Sequence, residues 1–434
     1  MFPETLVEKH LAVSLIQKLH TSQKPMVNHV KPSRHRAIQD RTQKMQRQIA
    51  EGAIRVLSTS GVAGLTHRAV AKEARVSLAA TTRHYSGKID ILAEASRLLL
   101  SEYLDSFKSL QARLRQNPER SIETLDDLVV QVTVNALCRD RDRSLAWWEI
   151  MLFSGRSPEG QALARDWFVK LDAIWLSLAE ELAGHPDPRQ IRISIERALG
   201  MIFLLHPLEL GREAVESLFA DTDIHRYLDH ATTDDFDAEN DDTKKAKMRE
   251  RLVETGVRIL IDEGPDALSY RAAADRVGMV RSGPSYYFDS VNALIEAAQL
   301  SLFARAKQRY RTGFQNRTHR CGTASELAKL TGTIFLSEAG AFHMENLAYF
   351  SVWIAAARSP GLRGFVQRIL LDQSAGWTRR VREIHEGDAP PGLALKMQSV
   401  YAGKLAHALA VGATRMDPHV TSLDFLAAAR LSGN

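Results

Sequence analysis

Arg83, His84 and Lys88 bring a guanidinium, an imidazole and an ammonium close together in the chain. So clustered, they offer donors to phosphate oxygens and to the acceptor edges of bases. Ser77, Leu78, Ala79, Ala80 and Thr82 lie just upstream, and the two alanines would let the segment approach a groove wall closely. A second set, Arg281, Ser282, Gly283, Ser285, Tyr286 and Tyr287, carries one cation, hydroxyls and aromatic rings, and would contact different bases. Thr66, His67 and Arg68 precede the first set, and Ser269, Tyr270 and Arg271 precede the second, and both triplets count as candidate contacts.

The elements that must carry these residues are short helices. Thr66–Leu92 aligns with Ser269–Ile295 without a gap, 203 positions apart. In the first stretch, Ile49, Ala53, Val56 and Leu57 make one apolar helical stripe that ends near Ser60-Gly61. Thr66 is placed to cap a second helix with Val70, Ala71 and Ala74 inside, and Ser77 to cap a third, in which Thr81 and Tyr85 share the inner face. In the second stretch Leu252, Ile259 and Leu260 form the stripe, Gly264 ends it and Ser269 caps the next helix. Pro284 cannot sit deep in a helix, so the third helix is expected to start two residues later than in the first stretch, with Ser282 as cap and Pro284 in its first turn.

Both stretches resemble the DNA-binding domain of the TetR family of transcriptional regulators. The first does so through the glycine before Leu65, Thr66, Arg68, Ala71, Val76-Ser77, His84-Tyr85 and Lys88, the second through Gly264, Ser269, Arg271, Ala274, Gly278 and Tyr286-Tyr287-Phe288. Arg75 stands where the family usually has glycine, while Val280 and Val291 replace the residues aligned with Ser77 and Lys88. Arg156-Ser157-Pro158 recurs at Arg358-Ser359-Pro360 and Trp175 recurs at Trp377, each 202 positions on, so the repeat extends through whole modules. The expected fold is all-α. Its divisions are an N-terminal helix and basic arm (1–43), a first helix-turn-helix domain (44–92), a first helical regulatory domain (93–230), an acidic linker (231–244), a second helix-turn-helix domain (245–295) and a second regulatory domain (296–434).

The resemblance implies a double-stranded DNA operator as partner, a small-molecule effector of unknown identity, and pairing through C-terminal helices. Here Leu199–Leu205 and Tyr401–Val411 are the expected seam of an intramolecular pseudo-dimer, with further self-association left open. A repressor reading an imperfect palindrome follows. The alternative is a sensor or interaction module in which only the first helix-turn-helix binds DNA, a reading that Val280 and Val291 favour. Trp147, Trp148, Trp167 and Trp175 in the first module, and Trp353 and Trp377 in the second, either line effector cavities or fill helical cores.

The bounds agree with this. The 434 residues are 44% hydrophobic and 25% charged, which suffices for more than one core, and a net charge of +5 permits a polyanionic partner. Two cysteines, Cys138 and Cys321, make no disulfide framework. The apolar runs are too short for a membrane span, the first residues do not read as a signal peptide, and a cytoplasmic protein is expected. Leu6, Leu11, Leu15 and Leu19 suggest an N-terminal helix, and the basic run Thr21–Arg47 is either a solvated leader or an arm that follows phosphates. No enzyme and no cofactor is expected. Ser86-Gly87-Lys88 lacks the strand and upstream glycine of a phosphate loop, and His225, Asp229 and His230 read as surface residues near the linker.

Overall fold

A computed structural model describes residues 34–116, 122–220, 223–228, 244–315, 322–390, 392–413 and 415–430. Leu6–Leu19, Lys24, Lys31, Asp229, His230, Cys321 and the acidic stretch Asp234–Asp242 lie outside them. Among the described residues, 34–46 are helical and belong to one unit, and those from 47 onward belong to the other.

The described residues are all-α, with no strand among them. The helices of the first half are α1 (Arg34–Gly64), α2 (His67–Ala74), α3 (Leu78–His84), α4 (Lys88–Gln116), α5 (Leu125–Val134), α6 (Arg141–Ser154), α7 (Pro158–Ala183), α8 (Pro188–Leu205) and α9 (Arg212–Phe219). Those of the second half are α10 (Lys244–Asp262), α11 (Tyr270–Val277), α12 (Val291–Gln315), α13 (Ala324–Gly340), α14 (His343–Ala356), α15 (Pro360–Ile384), α16 (Leu393–Val411) and α17 (Pro418–Arg430). The succession recurs with one exception: where the first half has α3, the second has a four-residue 3-10 turn, Gly283–Tyr286.

Helix α1 begins at Arg34, so the downstream part of the expected basic arm is helical. Gln, Arg, Lys and Ala are strong helix formers, and their propensity acts without an apolar stripe to announce it. The chain leaves regular helix at Gly61 (φ 65°), where the stripe was expected to end.

The two halves meet most extensively along α8 and α16. Gly200 on α8 faces the backbone of Ser399 on α16, and Gly403 on α16 faces the backbone of Glu196 on α8. Gly200 and Gly403 are 203 positions apart, as are Glu196 and Ser399, so each contact is the other with the halves exchanged. That reciprocity is the mark of a two-fold interface. A second reciprocal pair flanks it: Arg141 donates to the Ala357 carbonyl (3.5 Å) and His343 Nε2 lies 3.2 Å from the Gly155 carbonyl. Phe203 of α8 stacks on Phe350 (centroids 4.3 Å apart), and its carbonyl accepts from Trp353 Nε1 (3.0 Å).

Candidate nucleic-acid interface and its neighbouring cavity

The first head, Thr66–Leu92, is built by caps, and Ser269–Ile295 is its counterpart in the second half. Thr66 Oγ1 accepts from the Ala69 amide (3.1 Å) and Ser77 Oγ from the Ala80 amide (3.2 Å), each satisfying an orphan donor of a helix start. Between them the chain reverses at Arg75, which adopts φ 54°, ψ 43°. Gly278 adopts the same left-handed conformation (φ 73°) in the second head, and the residues that follow, Val76 and Met279, donate to Ala71 and Ala274 with the same 3.0 Å bond. The turns are therefore alike, although only one has the residue that reaches this conformation without strain.

Along α3, Thr81 is fully buried and Tyr85 nearly so, and this fixes which face looks out. Ala79, Thr82 and Arg83 are exposed, Leu78 is half exposed (50%), and Ala80 and His84 are partly covered. Arg68 on α2 is also exposed, and neither it nor Arg83 makes an ion pair among the described residues. His67 is half-buried and its carbonyl accepts from Thr81. Lys88 donates to the Val62 carbonyl (3.0 Å), which commits at least one of its three N–H donors inside the protein. Asp90 accepts from the Ser86 and Gly87 amides and from the Ser86 hydroxyl, and the hydroxyl bond first of all holds its carboxyl below the usual range. These bonds cap the start of α4 and account for Ser86-Gly87-Lys88 structurally.

The second head departs from expectation at its third element. Ser282 does not cap a helix: it is itself in a right-handed helical conformation and makes no side-chain cap bond, while Ser285 Oγ donates to the Ser282 carbonyl (2.6 Å). Gly283 donates to Val280 and Tyr287 to Pro284, and the turn ends there. Pro284 has no N–H, and Gly283 costs backbone entropy, so nothing local sustains a longer helix. Tyr270, expected to face outward, donates its hydroxyl to the Phe288 carbonyl (2.5 Å) and pins the turn to α11. Arg271 is exposed and lies 3.7 Å from Asp275. Ser269 does cap α11, through the Ala272 amide (3.1 Å). What remains outside is an aromatic surface: Tyr286 is 71% and Val280 74% exposed, Tyr286 meets Tyr287 edge-on, and Lys245 lies over the Tyr286 ring. Arg281 is exposed beside it.

A cavity of about 820 Å³ opens among α4 to α8 in the first half. Trp147, Trp148, Trp167 and Trp175 all line it, together with Tyr103 and Phe107. Trp167 donates to Ser96 Oγ (2.8 Å) and Trp175 to the Tyr103 hydroxyl (2.9 Å), so both rings are held in place. Part of the wall is a π-helical turn, Asn135–Arg139, a rare geometry that recurs at functional sites. Glu102 and Arg143 on the wall pair with each other (2.9 Å) and connect to α1, Arg143 to Glu51 (3.2 Å) and Glu102 to Arg47 (3.5 Å). Burial raises the Glu102 carboxyl above its ordinary range despite these cations.

Trp353 and Trp377 do not line this cavity. Trp353 is completely buried in the seam, and Trp377 packs 6.1 Å from the Tyr401 ring. In the second half, Phe303 packs on Tyr349 and Phe365, and Arg309 is bound to Glu338 (2.9 to 3.1 Å) and Asn346 (3.1 Å). Phe303, Tyr349 and Trp353 are therefore core residues of that half.

The seam also ties each half to the other's head. Arg156 of the first half donates to the carbonyls of Ile261 (2.9 Å) and Leu260 (3.2 Å) at the end of α10. Arg358 of the second half pairs with Glu149, whose other oxygen accepts from the Val62 amide (2.9 Å) beside Gly61. The recurring Arg-Ser-Pro segments are thus structural clasps, a role that spacing alone did not disclose.

Among known proteins, the chain is similar to the HTH-type transcriptional regulator PksA of Bacillus subtilis (strain 168), with 32% identity over 87 residues. The match covers 20% of this chain and 42% of that protein, so the chain spans less than half the length of the curated relative it matches. No family model matches the chain. No described helix is long and apolar enough to cross a membrane.

Proposed function

We propose that this protein is a DNA-binding transcriptional regulator built as two TetR-like modules in one chain, acting as a repressor that a small molecule releases. The observation that carries the reading is the first head: two capped helices joined by a left-handed turn, with Arg68, Thr82 and Arg83 on the exposed side and Thr81 and Tyr85 buried beneath. Similarity to a helix-turn-helix regulator supports it. The reciprocal α8–α16 seam supports an intramolecular pseudo-dimer, which would present the heads to an imperfect palindrome. An effector in the tryptophan-lined cavity would act on the Glu102–Arg143 pair and so on α1 through Glu51 and Arg47. Binding-site selection on the purified protein tests this: an imperfect palindrome with two different half-sites is expected, one of them recognised through Arg83 and His84, and recovery of only a symmetric palindrome, or enrichment of no sequence, would refute it.

The 3-10 turn at Gly283–Tyr286 favours a second reading for the second head. Lacking a recognition helix, it would add phosphate and stacking contacts without reading bases, leaving sequence choice to the first head. Selection then yields a single specified half-site; two specified half-sites would sink this version and keep the first.

A further inference from the structure

The α8–α16 seam contains one buried ion pair that breaks its own symmetry. Lys404 of α16 lies beside Gly403 and reaches Glu196 of α8 (3.0 Å) and Asp424 of α17 (2.9 Å). Glu196 and Asp424 have side chains only 2% exposed, and Lys404 10%. Arg189 completes the group at 3.3 Å from Asp424, so the four formal charges cancel. Across the pseudo-two-fold, 203 positions away, Glu196 corresponds to Ser399 and Lys404 to Met201. Both are buried, and Ser399 Oγ bonds within its own helix to the Lys396 carbonyl. The second copy of the contact is therefore uncharged.

Consider the three ways of pairing α8-type and α16-type helices in this register. Unlike halves bring Glu196 opposite Lys404. Two first halves would bring each Glu196 opposite a methionine, leaving two buried carboxylates without the ammonium that bonds them. Two second halves would bring each Lys404 opposite Ser399, removing half of the ammonium's acceptors. Removing one partner of a buried pair costs far more than the intact pair contributes, because the remaining charge stays buried. We propose that Glu196 and Lys404 are the specificity determinants of the seam, directing the first half to the second half of its own chain and away from like halves of other copies. The inference rests on the pseudo-dimer reading given above.

Charge reversal in the full chain tests it. Glu196→Lys or Lys404→Glu alone leaves the group with a net charge of two, and each should raise the unfolded fraction by about 100-fold or more in urea titrations. The double reversal E196K/K404E restores neutrality and the attraction between positions 196 and 404, and should recover part of that loss, the carboxylate then set beside Asp424 withholding the rest; such recovery shows that the single variants fail through charge and not through misfolding. Chains carrying the two single reversals, refolded together, should form a mixed two-chain species by native mass measurement, since each seam then regains a neutral group. Single reversals that unfold at the wild-type midpoint, or a double reversal that recovers nothing, would overturn the proposal. Failure of the intramolecular reading is distinguishable: the wild-type protein would then have an obligate multi-chain mass while the charge dependence of stability persisted.

Discussion

Replacing Gly200 by alanine probes the close approach of α8 to α16. A methyl on Gly200 would lie 2.5 Å from the Ser399 carbonyl carbon and 2.8 Å from its Cα, and would overlap the carbonyl oxygen. Carbon atoms rest about 3.5 Å apart, so α8 and α16 must separate by about 1 Å. A gap of that size forfeits roughly a quarter to a half of the dispersion well for contacts across it. Leu199, Ile202, Phe203, Val400, Leu405 and Leu409 are buried side chains of these two helices, each contributing about 2 kcal/mol by burial. Losing a quarter of that gives about 3 kcal/mol, partly offset by the better helix propensity of alanine, about 1 kcal/mol. Urea or thermal unfolding should therefore show G200A destabilised by about 2 kcal/mol. G403A should behave alike, because its methyl would meet the Glu196 backbone in the reciprocal contact. The double variant should cost less than the sum, since one separation of the helices relieves both overlaps. Gly376→Ala is the control: it is helical and faces nothing within 4 Å, so alanine should be neutral or stabilising. If G200A unfolds at the wild-type midpoint, or the double variant shows the full sum, the close reciprocal seam is wrong.

Other expectations can be checked separately. Arg83→Ala with His84→Ala should weaken DNA binding by about 10- to 100-fold in mobility-shift assays, with one half-site affected and thermal stability unchanged. Arg156→Ala should remove about 1.5 to 3 kcal/mol of charge-assisted bonding to the Leu260 and Ile261 carbonyls, read as faster hydrogen exchange at the end of α10 and none at α3. His407 is stacked on Phe168, and burial first, then Lys404 and Arg192, lowers its pKa to about 4. Its unfolded form takes up a proton near pH 6.5 while the folded form stays neutral, so stability is undiminished above that pH. It should fall by about 3 kcal/mol between pH 6.5 and 4, and His407→Gln should flatten that slope. Arg75→Gly should stabilise the first head by up to about 1 kcal/mol, whereas Gly278→Ala should destabilise the second by about as much.

How much could be read in advance follows the range of the interactions. Thr66, Ser77 and Ser269 were legible as caps because a cap is a bond between residues three apart. The inward faces of α2 and α3 were legible from helical spacing. Ser282 misled because a serine two residues before a proline looks like a cap, and whether a helix follows depends on what sustains it beyond the first turn. The tryptophans could not be sorted by type: Trp147 and Trp353 have similar surroundings in sequence, yet one borders a cavity and the other fills the seam. Gly200 and Gly403 gave no periodic signal, because a glycine inside a helix declares its purpose only when another backbone comes against it.

The placing of the cavity in the first half has a quantitative consequence for any dose response. A symmetric dimer with two effector sites can sharpen its answer, since filling one site biases the other, and Hill coefficients up to two become available. If the effector takes the first-half cavity alone, as proposed, the chain offers one site for two heads. Such a site fills hyperbolically, and going from a tenth to nine-tenths occupancy takes roughly an 80-fold rise in free ligand. Built this way, the protein would report a concentration by degrees across nearly two decades where a paired homodimer could act as a threshold.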